Sequence, residues 1–428
     1  MNQESVAYGL ALLGAGWYFA MWLIGLLGCI AARRRYRRKP ASSLLHANPH
    51  TAPGVSVLRP LKGLDTNLYE NLESTFKQEY SNYEIIFSVA DEDDQALTVV
   101  DALRSKYAGV KVTVIIGEEV VGVNPKVNNL MRSFKAAAHD ILWVLDSGVM
   151  VDSGTLARSV EILAQQLPGH SARRIALVHH VPFALIDETK FGSRLEAAFL
   201  NTNHAKMYIA INTVAIESCV VGKSNLYRRS DVERLNGSLI PIQSQSASSQ
   251  APGKYGLAAF GRFLAEDNMI ASALWHELGL RHDLSCDVAR NVVGNMSFMD
   301  YVWRRVRWIR VRKRMVLAAT VVEPFTESIM LSMIGNLSFA TLFGLGMPSW
   351  IFLICHFSAW LAVDLDVYAS IGGHTSRKEG LMPFILAWIG RECLAFPIWL
   401  IGLVGDDVVW RGRKYQVLSN GEARLHPT

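Results

Sequence analysis

Two adjacent carboxylates, Glu266 and Asp267, stand in the stretch Leu264-Ala265-Glu266-Asp267-Asn268-Met269-Ile270. A basic cluster closing on a tryptophan follows, Arg304-Arg305-Val306-Arg307-Trp308. A positioned carboxylate removes a proton from an alcohol. Arginines three apart share one face of a helix and grip phosphate oxygens in a bidentate way. Upstream, Asp91 and Asp146 each end an apolar run. Carboxylates there supply hard oxygen ligands to Mg²⁺ or Mn²⁺ when phosphate is also bound.

Each element has a plainer reading. Aspartate is common in turns and at helix N-caps, and a basic helix with an interfacial Trp is a frequent neighbour of membrane segments. The set is more specific than its members. Asp91 suits the base and ribose of a nucleotide, Asp146 a cation on its pyrophosphate, and Asp267, with Glu266 beside it, the acceptor hydroxyl. Enclosed by membrane-length segments, the set points to a membrane-bound enzyme that handles a nucleotide-activated sugar.

These residues need elements to hold them. The chain has 428 residues, 50% hydrophobic, with mean hydropathy +0.18 and net charge +5. That is enough for one substantial soluble core plus membrane spans. Ser5 to Ala32 carries no charge, and Arg33-Arg34-Arg35-Tyr36-Arg37-Arg38-Lys39 follows at once. A cleaved signal peptide has its positive charge before the apolar region. The order here predicts an uncleaved anchor with its N-terminus outside and residue 33 onward in the cytoplasm. No base-reading element adjoins the basic run, which argues against nucleic acid as a partner. Five scattered cysteines without ligand spacing fit a reducing compartment.

After a Pro/Ser linker over 40–53, strands and helices alternate. Strands are predicted at Val55–Leu58, Tyr83–Val89, Val110–Ile116, Ile141–Leu145 and Ile175–Val181, and a glycine-broken one at Cys219–Tyr227. Helices are predicted at Asn67–Gln78, Ala96–Tyr107, Lys126–Ala138, Arg194–Ala210 and Phe263–Leu278. Such alternation calls for an α/β domain with a largely parallel sheet. Ligands bind beyond the carboxyl ends of strands in such sheets, where Asp91 and Asp146 stand. Ser238–Gly256 reads as a Ser/Gln/Pro-rich surface insert, and Met299–Met315 as a basic, aromatic interfacial segment. Ser328–Val363 lacks Asp, Glu, Lys and Arg, and Gly344, Gly346 and Pro348 divide it into two expected spans. Arg391-Glu392 interrupts the last apolar region, Gly380–Gly405, which predicts a re-entrant or interfacial segment there.

On these residues the chain resembles the ceramide glucosyltransferases, glycosyltransferase family 21. The resemblance rests on Val55-Ser56-Val57-Leu58-Arg59-Pro60-Leu61-Lys62-Gly63, Ala90-Asp91-Glu92-Asp93-Asp94 and Asn124-Pro125-Lys126-Val127-Asn128-Asn129-Leu130. It continues in Leu145-Asp146-Ser147-Gly148, Gly222-Lys223-Ser224, Ala265-Glu266-Asp267, Arg304 to Trp308 and Trp410-Arg411. It covers nearly the whole chain. The Arg-x-x-Arg-Trp element is shared with processive synthases; the Pro-Lys-Val-Asn-Asn-Leu stretch and Asp-Ser-Gly are more particular to this family.

The resemblance implies a GT-A fold with a mixed, mostly parallel sheet and transmembrane helices at both ends. Its segments would be an anchor and basic flank (1–39), a cytosolic GT-A domain (40–298), an interfacial Arg-x-x-Arg-Trp helix (299–318) and a C-terminal membrane region with a basic tail (319–428). It implies glucose transfer from UDP-glucose to the C1 hydroxyl of ceramide, with inversion, at a Golgi or endoplasmic reticulum membrane and with the catalytic domain in the cytosol. By the same resemblance Asp267 is the catalytic base and Asp146 binds Mg²⁺ or Mn²⁺. Asp91, Lys126, His204, Cys219, Glu266, Arg304, Arg307 and Trp308 bind substrate. Alone, His204 reads as an ordinary surface histidine and Cys219 as a buried strand residue. The chain departs from the family in a long insert before the Glu266-Asp267 helix and in Asp-Ser-Gly where Asp-x-Asp is usual.

Two rivals remain. A processive polysaccharide synthase needs more spans to build a secretion channel. A transporter, suggested by Asp364, Asp366, Arg391 and Glu392 in apolar surroundings, leaves the soluble sheet unexplained.

Overall fold

The computed structural model describes residues 3–45, 47–165, 174–186, 190–244, 254–344, 349–372, 380–410 and 412–426. The chain forms two compact units. One comprises Lys39–Asp187, Ala215–Gly294 and Trp410–Thr428; the other comprises Met1–Arg38, Glu188–Val214 and Asn295–Val409.

The first unit is an α/β domain. Its strands are β1 (Val55–Pro60), β2 (Tyr83–Val89), β3 (Lys111–Ile116), β4 (Ile141–Leu145), β5 (Val149–Met150), β6 (Ile175–Ile186), β7 (Ser224–Arg228) and β8 (Arg281–Val293). They form one sheet in the order β3-β2-β1-β4-β7-β6-β8-β5. β3, β2, β1 and β4 are parallel, and β7 enters antiparallel to β4 and β6. The sheet is therefore mixed with a parallel core, as expected. Every residue of β1 is buried, the signature of a parallel strand covered on both faces. One face packs Trp143, Leu145, Leu156 and Val160; the other packs Leu72, Phe76, Phe87, Val100 and Leu103.

Covering helices are α2 (Leu68–Phe76), α3 (Ala96–Lys106), α4 (Pro125–Ala136), α5 (Thr155–Ala164), the short α8 (Arg229–Val232) and α9 (Glu266–His276). The sequence placed the early elements within a few residues, but β8 was not anticipated. Its Arg-His-Asp start and buried Asp287 mask the strand pattern. Asp287 is tolerated because Arg158 grips it with two bonds of 2.7 and 2.9 Å and Lys39 lies at 2.8 Å.

The second unit is helical: α1 (Gln3–Tyr36), α6 (Phe191–Phe199), α7 (Ala205–Val214), α10 (Phe298–Met315), α11 (Leu317–Val322), α12 (Ser328–Phe343), α13 (Trp350–Gly372) and α14 (Leu381–Leu403). A π-helical segment, Leu200–His204, joins α6 to α7. Helices α1, α13 and α14 are long and apolar enough to cross a membrane, so the protein is membrane-associated. Of the two spans expected in Ser328–Val363, α13 has span length, whereas α12, at 16 residues, qualifies only together with the preceding helical stretch; Gly346 and Pro348 lie outside the described residues.

The last apolar region departs from the re-entrant or interfacial segment expected there. Leu381–Leu403 is a continuous helix of span length, whereas Leu317–Thr326 and Ser328–Phe343 meet at a 70° bend. Arg391 is accommodated because it donates to Glu327 Oε2 at 2.6 Å and to Glu392. The remaining charges on α13 are paired too. Lys206 donates to Asp364 at 2.6 Å with both side chains fully buried, and Asp366 receives Arg33 and Arg37, each at 2.6 Å. The transporter reading drew on these charges; they are spent on internal pairs.

Residues 39–187 and 410–428 belong to one compact unit, so they lie on one side of a bilayer. An even number of crossings must separate them. Helices α13 and α14 have the length and apolarity to supply two; the bent α11/α12 pair is a broken span or a re-entrant loop.

Lys206 and Asp364 permit a direct test. Breaking a buried pair from one side costs about 3–5 kcal/mol. Lys206→Met should melt well below wild type in detergent, and the double variant Lys206→Met/Asp364→Asn should recover most of the loss. An unchanged melting temperature in the single variant would show that the pair adds nothing.

Candidate active site

The site in the α/β unit begins with the N-terminus of α4. Asn124 caps it, Oδ1 accepting from the N–H groups of Lys126 and Val127 at 2.8 and 3.3 Å. Pro125 occupies the first helical position, which needs no N–H. The Asn124 Nδ2 donates to Phe263 O at 2.8 Å and to Glu266 Oε2 at 2.7 Å. One fully buried side chain thus starts α4 and holds the first turn of α9 against it. Gly122 permits the approach: a Cβ there would lie 2.2 Å from Gly261 O. Asn128 and Asn129 complete the motif. Asn128 closes the 121–122 turn, and Asn129 donates to Leu61 O and Ser88 O, both at 3.1 Å.

This joint delivers the Lys126 ammonium into a cage of carboxylates. Its Nζ lies 2.9 Å from Asp146, 2.8 Å from Glu266 and 2.9 Å from Asp267. Burial alone would lower the lysine pKa, but the three anions outweigh it and hold the ammonium well above its ordinary value. Burial would likewise raise the Asp146 carboxyl; Lys126 and Lys223 outweigh it and hold Asp146 well below the usual range. Glu266 goes the other way. Burial, then the adjacent Asp267 charge, push it up.

Asp146 sits just past β4. Its N–H donates to Lys223 O at 3.0 Å, and the Lys223 ammonium stands 3.4 Å from its carboxylate. Lys223 holds a φ of 135°, a strained conformation for a non-glycine residue. Beneath, Arg59 is fully buried and donates to Val149 O at 3.1 Å and Ser147 O at 3.4 Å. It fixes the Asp-Ser-Gly loop from below. Asp267 accepts from Lys126 through Oδ2 and from Asn225 through Oδ1 at 3.3 Å. Gly222 leaves room for it: a Cβ there would lie 2.2 Å from Asp267 Oδ2.

The structure therefore brings together Lys126, Asp146, Glu266 and Asp267. Asp91 stands exposed at the end of β2, accepting from Asp93 N at 3.1 Å. Cys219 is a partly exposed cysteine, in no disulfide, in the loop that carries Gly222 and Lys223. Arg304, Arg307, Trp308 and His204 gather in the helical unit. Arg304 donates to Glu196 at 2.8 Å and lies 5.3 Å over Trp308. His204 stacks on Tyr208 at 5.6 Å and faces Trp308 at 6.4 Å. Burial, then Arg305 and Arg312, push its pKa down to about 3, so it is a neutral ring within an aromatic cluster. Arg307 has neither hydrogen bond nor counter-ion among the described residues. Burial, then Arg304, push its pKa down to about 10. An unpaired guanidinium of this kind suits an anionic ligand.

The rest of the basic segment is not free. Arg310 and Lys313 donate to the carbonyls of Val404, Leu403 and Gly405 at 3.0, 2.9 and 2.6 Å, and Arg314 pairs with Asp406 at 2.7 Å. These cations cap the C-terminus of α14.

Sequence reasoning missed Asn124, Lys223, Asn225 and Arg59 as builders of the site. Asn-Pro before a periodic helix is a cap signal that was available for Asn124; the others depend on long-range pairing. Among the described residues no three His, Cys, Asp or Glu side chains are grouped to hold a metal ion. The set still fits Mg²⁺ or Mn²⁺, which bind through one or two carboxylates with substrate phosphates and water.

The profile of glycosyl transferase family 21 matches residues 20–248 and 250–423. The chain belongs to this family. Within it, a ceramide glucosyltransferase of Komagataella phaffii is 35% identical, covering 95% of this chain and 90% of its own. A ceramide glucosyltransferase of Candida albicans is 31% identical over 97% of this chain and 98% of its own. Ceramide glucosyltransferase 3 of Caenorhabditis elegans is 28% identical over 98% and 83%. A family 21 member is a glycosyltransferase, and the carboxylate–lysine cage is its candidate centre.

Gly222 tests that centre. Gly222→Ala forces the Asp267 carboxylate aside, and a displacement near 1 Å can cost about 100-fold. We expect kcat to fall by that order while UDP affinity, read by titration, stays close to wild type. A kcat within a few-fold of wild type would mean that the Asp267 position does not matter.

Proposed function

We propose that this glycosyltransferase transfers glucose from UDP-glucose to the C1 hydroxyl of ceramide with inversion, giving β-glucosylceramide. The observation that carries the reading is Asp267. It is a carboxylate held between Lys126 and Asn225, beside a glycine that leaves space for it, in a chain similar over nearly its whole length to proteins named ceramide glucosyltransferases.

In this reading Asp267 accepts the C1 hydroxyl proton as the acceptor oxygen attacks the anomeric carbon from the face opposite UDP. The bond to the UDP oxygen breaks, and the departing diphosphate gathers negative charge. Lys126 and Lys223 stand ready to receive that charge. Arg307, with no counter-ion of its own, and Arg304 are assigned to the same anion, and Trp308 to the acceptor. Asp91 serves the nucleoside. Asp146 would hold a divalent cation together with the diphosphate, and that cation neutralises phosphate charge when bound. Glu266 is a positioning residue; its carboxylate locks α9 to Asn124.

Ceramide stays in the bilayer, which explains membrane spans in an enzyme whose sheet is water-soluble. The expected orientation puts the α/β unit in the cytosol, as the basic run at 33–39 requires, in a Golgi or endoplasmic reticulum membrane. The processive alternative remains disfavoured: three to four candidate spans among the described residues leave little from which to build a secretion channel. The insert at 238–256 lies mostly outside the described residues, and a lid role for it rests on its place before α9.

Asp267→Asn keeps the shape and removes the base. It should lower transfer by about 10²- to 10⁴-fold with UDP binding retained; a rate within a few-fold of wild type removes Asp267 from the role. Asp146→Ala should lose the Mn²⁺ dependence of UDP affinity. Equal Mn²⁺ sensitivity in variant and wild type would place the cation elsewhere.

A further inference from the structure

The Asp-Ser-Gly turn departs from Asp-x-Asp at its third position, where Gly148 stands in place of a carboxylate. The carboxylate that remains is already engaged: Asp146 answers the ammonium groups of Lys126 and Lys223 at 2.9 and 3.4 Å. Mg²⁺ and Mn²⁺ bind through hard oxygens, and the cation subsite assigned to Asp146 is short of them.

The α/β unit brings one in from another loop. Ser147 Oγ donates to Oδ2 of Asp65, 82 residues earlier, in the loop between β1 and α2. That loop is tied down along its length. Gly63 N donates to both carboxylate oxygens of Asp94 at 2.9 Å. Leu68 N donates to Asp65 O at 3.1 Å, and Asn71 Nδ2 to Thr66 O at 3.0 Å. Gly294 leaves room for the loop: a Cβ there would lie 2.4 Å from Thr66 Oγ1. Arg59, fully buried beneath, feels the charges of both Asp146 and Asp65, so the two carboxylates stand near one guanidinium. They differ in how their charge is met. Asp146 has its two lysines, whereas Asp65 is exposed, accepts from a neutral hydroxyl and forms no ion pair with the described residues.

An exposed aspartate in a loop is commonly a solvated turn residue. Asp65 differs in being held against the residue next to Asp146, in a turn that lacks its own second carboxylate. We propose that Asp65 supplies the second carboxylate of the divalent-cation subsite, in place of the one missing at Gly148. The proposal rests on the assignment of a cation to Asp146 above and names the partner that completes it. Two carboxylates, with donor phosphate oxygens and water for the remaining positions, are a set that suits Mg²⁺ or Mn²⁺.

Gly148 offers the decisive control. Its φ is not positive, and a Cβ there meets nothing nearer than Asn291 Oδ1 at 3.9 Å, so Gly148→Asp fits. The test uses full-length protein in detergent, with Mn²⁺ binding at saturating UDP read by EPR and UDP affinity without metal read by calorimetry. Asp65→Asn should weaken Mn²⁺ by about ten-fold or more, with metal-free UDP affinity within about two-fold of wild type. Asp65→Asn/Gly148→Asp, which moves the carboxylate to the Asp-x-Asp position, should recover Mn²⁺ affinity to within about three-fold of wild type. Ser147→Ala keeps the Asp65 carboxylate and should lose less than Asp65→Asn. Unchanged Mn²⁺ affinity in Asp65→Asn, no recovery in the double variant, or an equal loss in Ser147→Ala overturns the proposal and leaves Asp65 as a prop for the turn. Mn²⁺ affinity unchanged in Asp146→Ala overturns the cation assignment itself, and the proposal with it.

Discussion

One buried ammonium holds the centre of this protein together. Lys126 stands within 2.9 Å of three carboxylates contributed by two separate stretches of chain. Without Lys126, three anions so close would repel one another strongly in a poorly hydrated site, with Lys223 at the edge of the cage and hydrogen bonds from Asn124 and Asn225 as further relief. Lys126 turns that repulsion into a joint. It fixes the end of β4, the start of α4 and the start of α9 relative to one another, and Asn124 repeats the connection with neutral hydrogen bonds.

The same arrangement prepares the site for an anionic donor. Asp267 Oδ2 accepts a hydrogen bond from Lys126 Nζ at 2.9 Å. A diphosphate competes for that ammonium, and drawing it off would release the carboxylate for proton transfer. On the proposed reading, Lys126 links donor binding to base activation through one set of contacts. The strained Lys223 backbone fits this view. Strain of that sort persists only where the surroundings over-determine it, and here the Lys223 carbonyl and ammonium both engage Asp146.

Much of this was legible in the sequence. Alternating apolar runs with Gly, Pro and Asn punctuation located the parallel half of the sheet, and strand-end placement singled out Asp146. Adjacent carboxylates before a periodic helix drew attention to Asp267, which the structure places against Lys126 and Asn225. What escaped depends on contacts distant in sequence. β8 carries Asp287, which reads as a strand breaker until Arg158 and Lys39 neutralise it. The Arg391-Glu392 pair reads as an interruption until Glu327, at the bend before α12, pairs with Arg391, which is why a continuous helix was not expected there. Arg310, Lys313 and Arg314 read as headgroup or ligand contacts, yet they cap the carbonyls of α14. Local pattern reports periodicity and caps; it does not report which distant partner neutralises a buried charge.

The most direct test of the account is the product itself. Purified protein incubated with labelled UDP-glucose and a short-chain ceramide should yield a lipid-soluble glucoside whose anomeric configuration, read by NMR, is β. An α-glucoside would contradict single displacement with Asp267 as base. A water-soluble polymer, or no transfer to ceramide, would contradict the assignment of the acceptor.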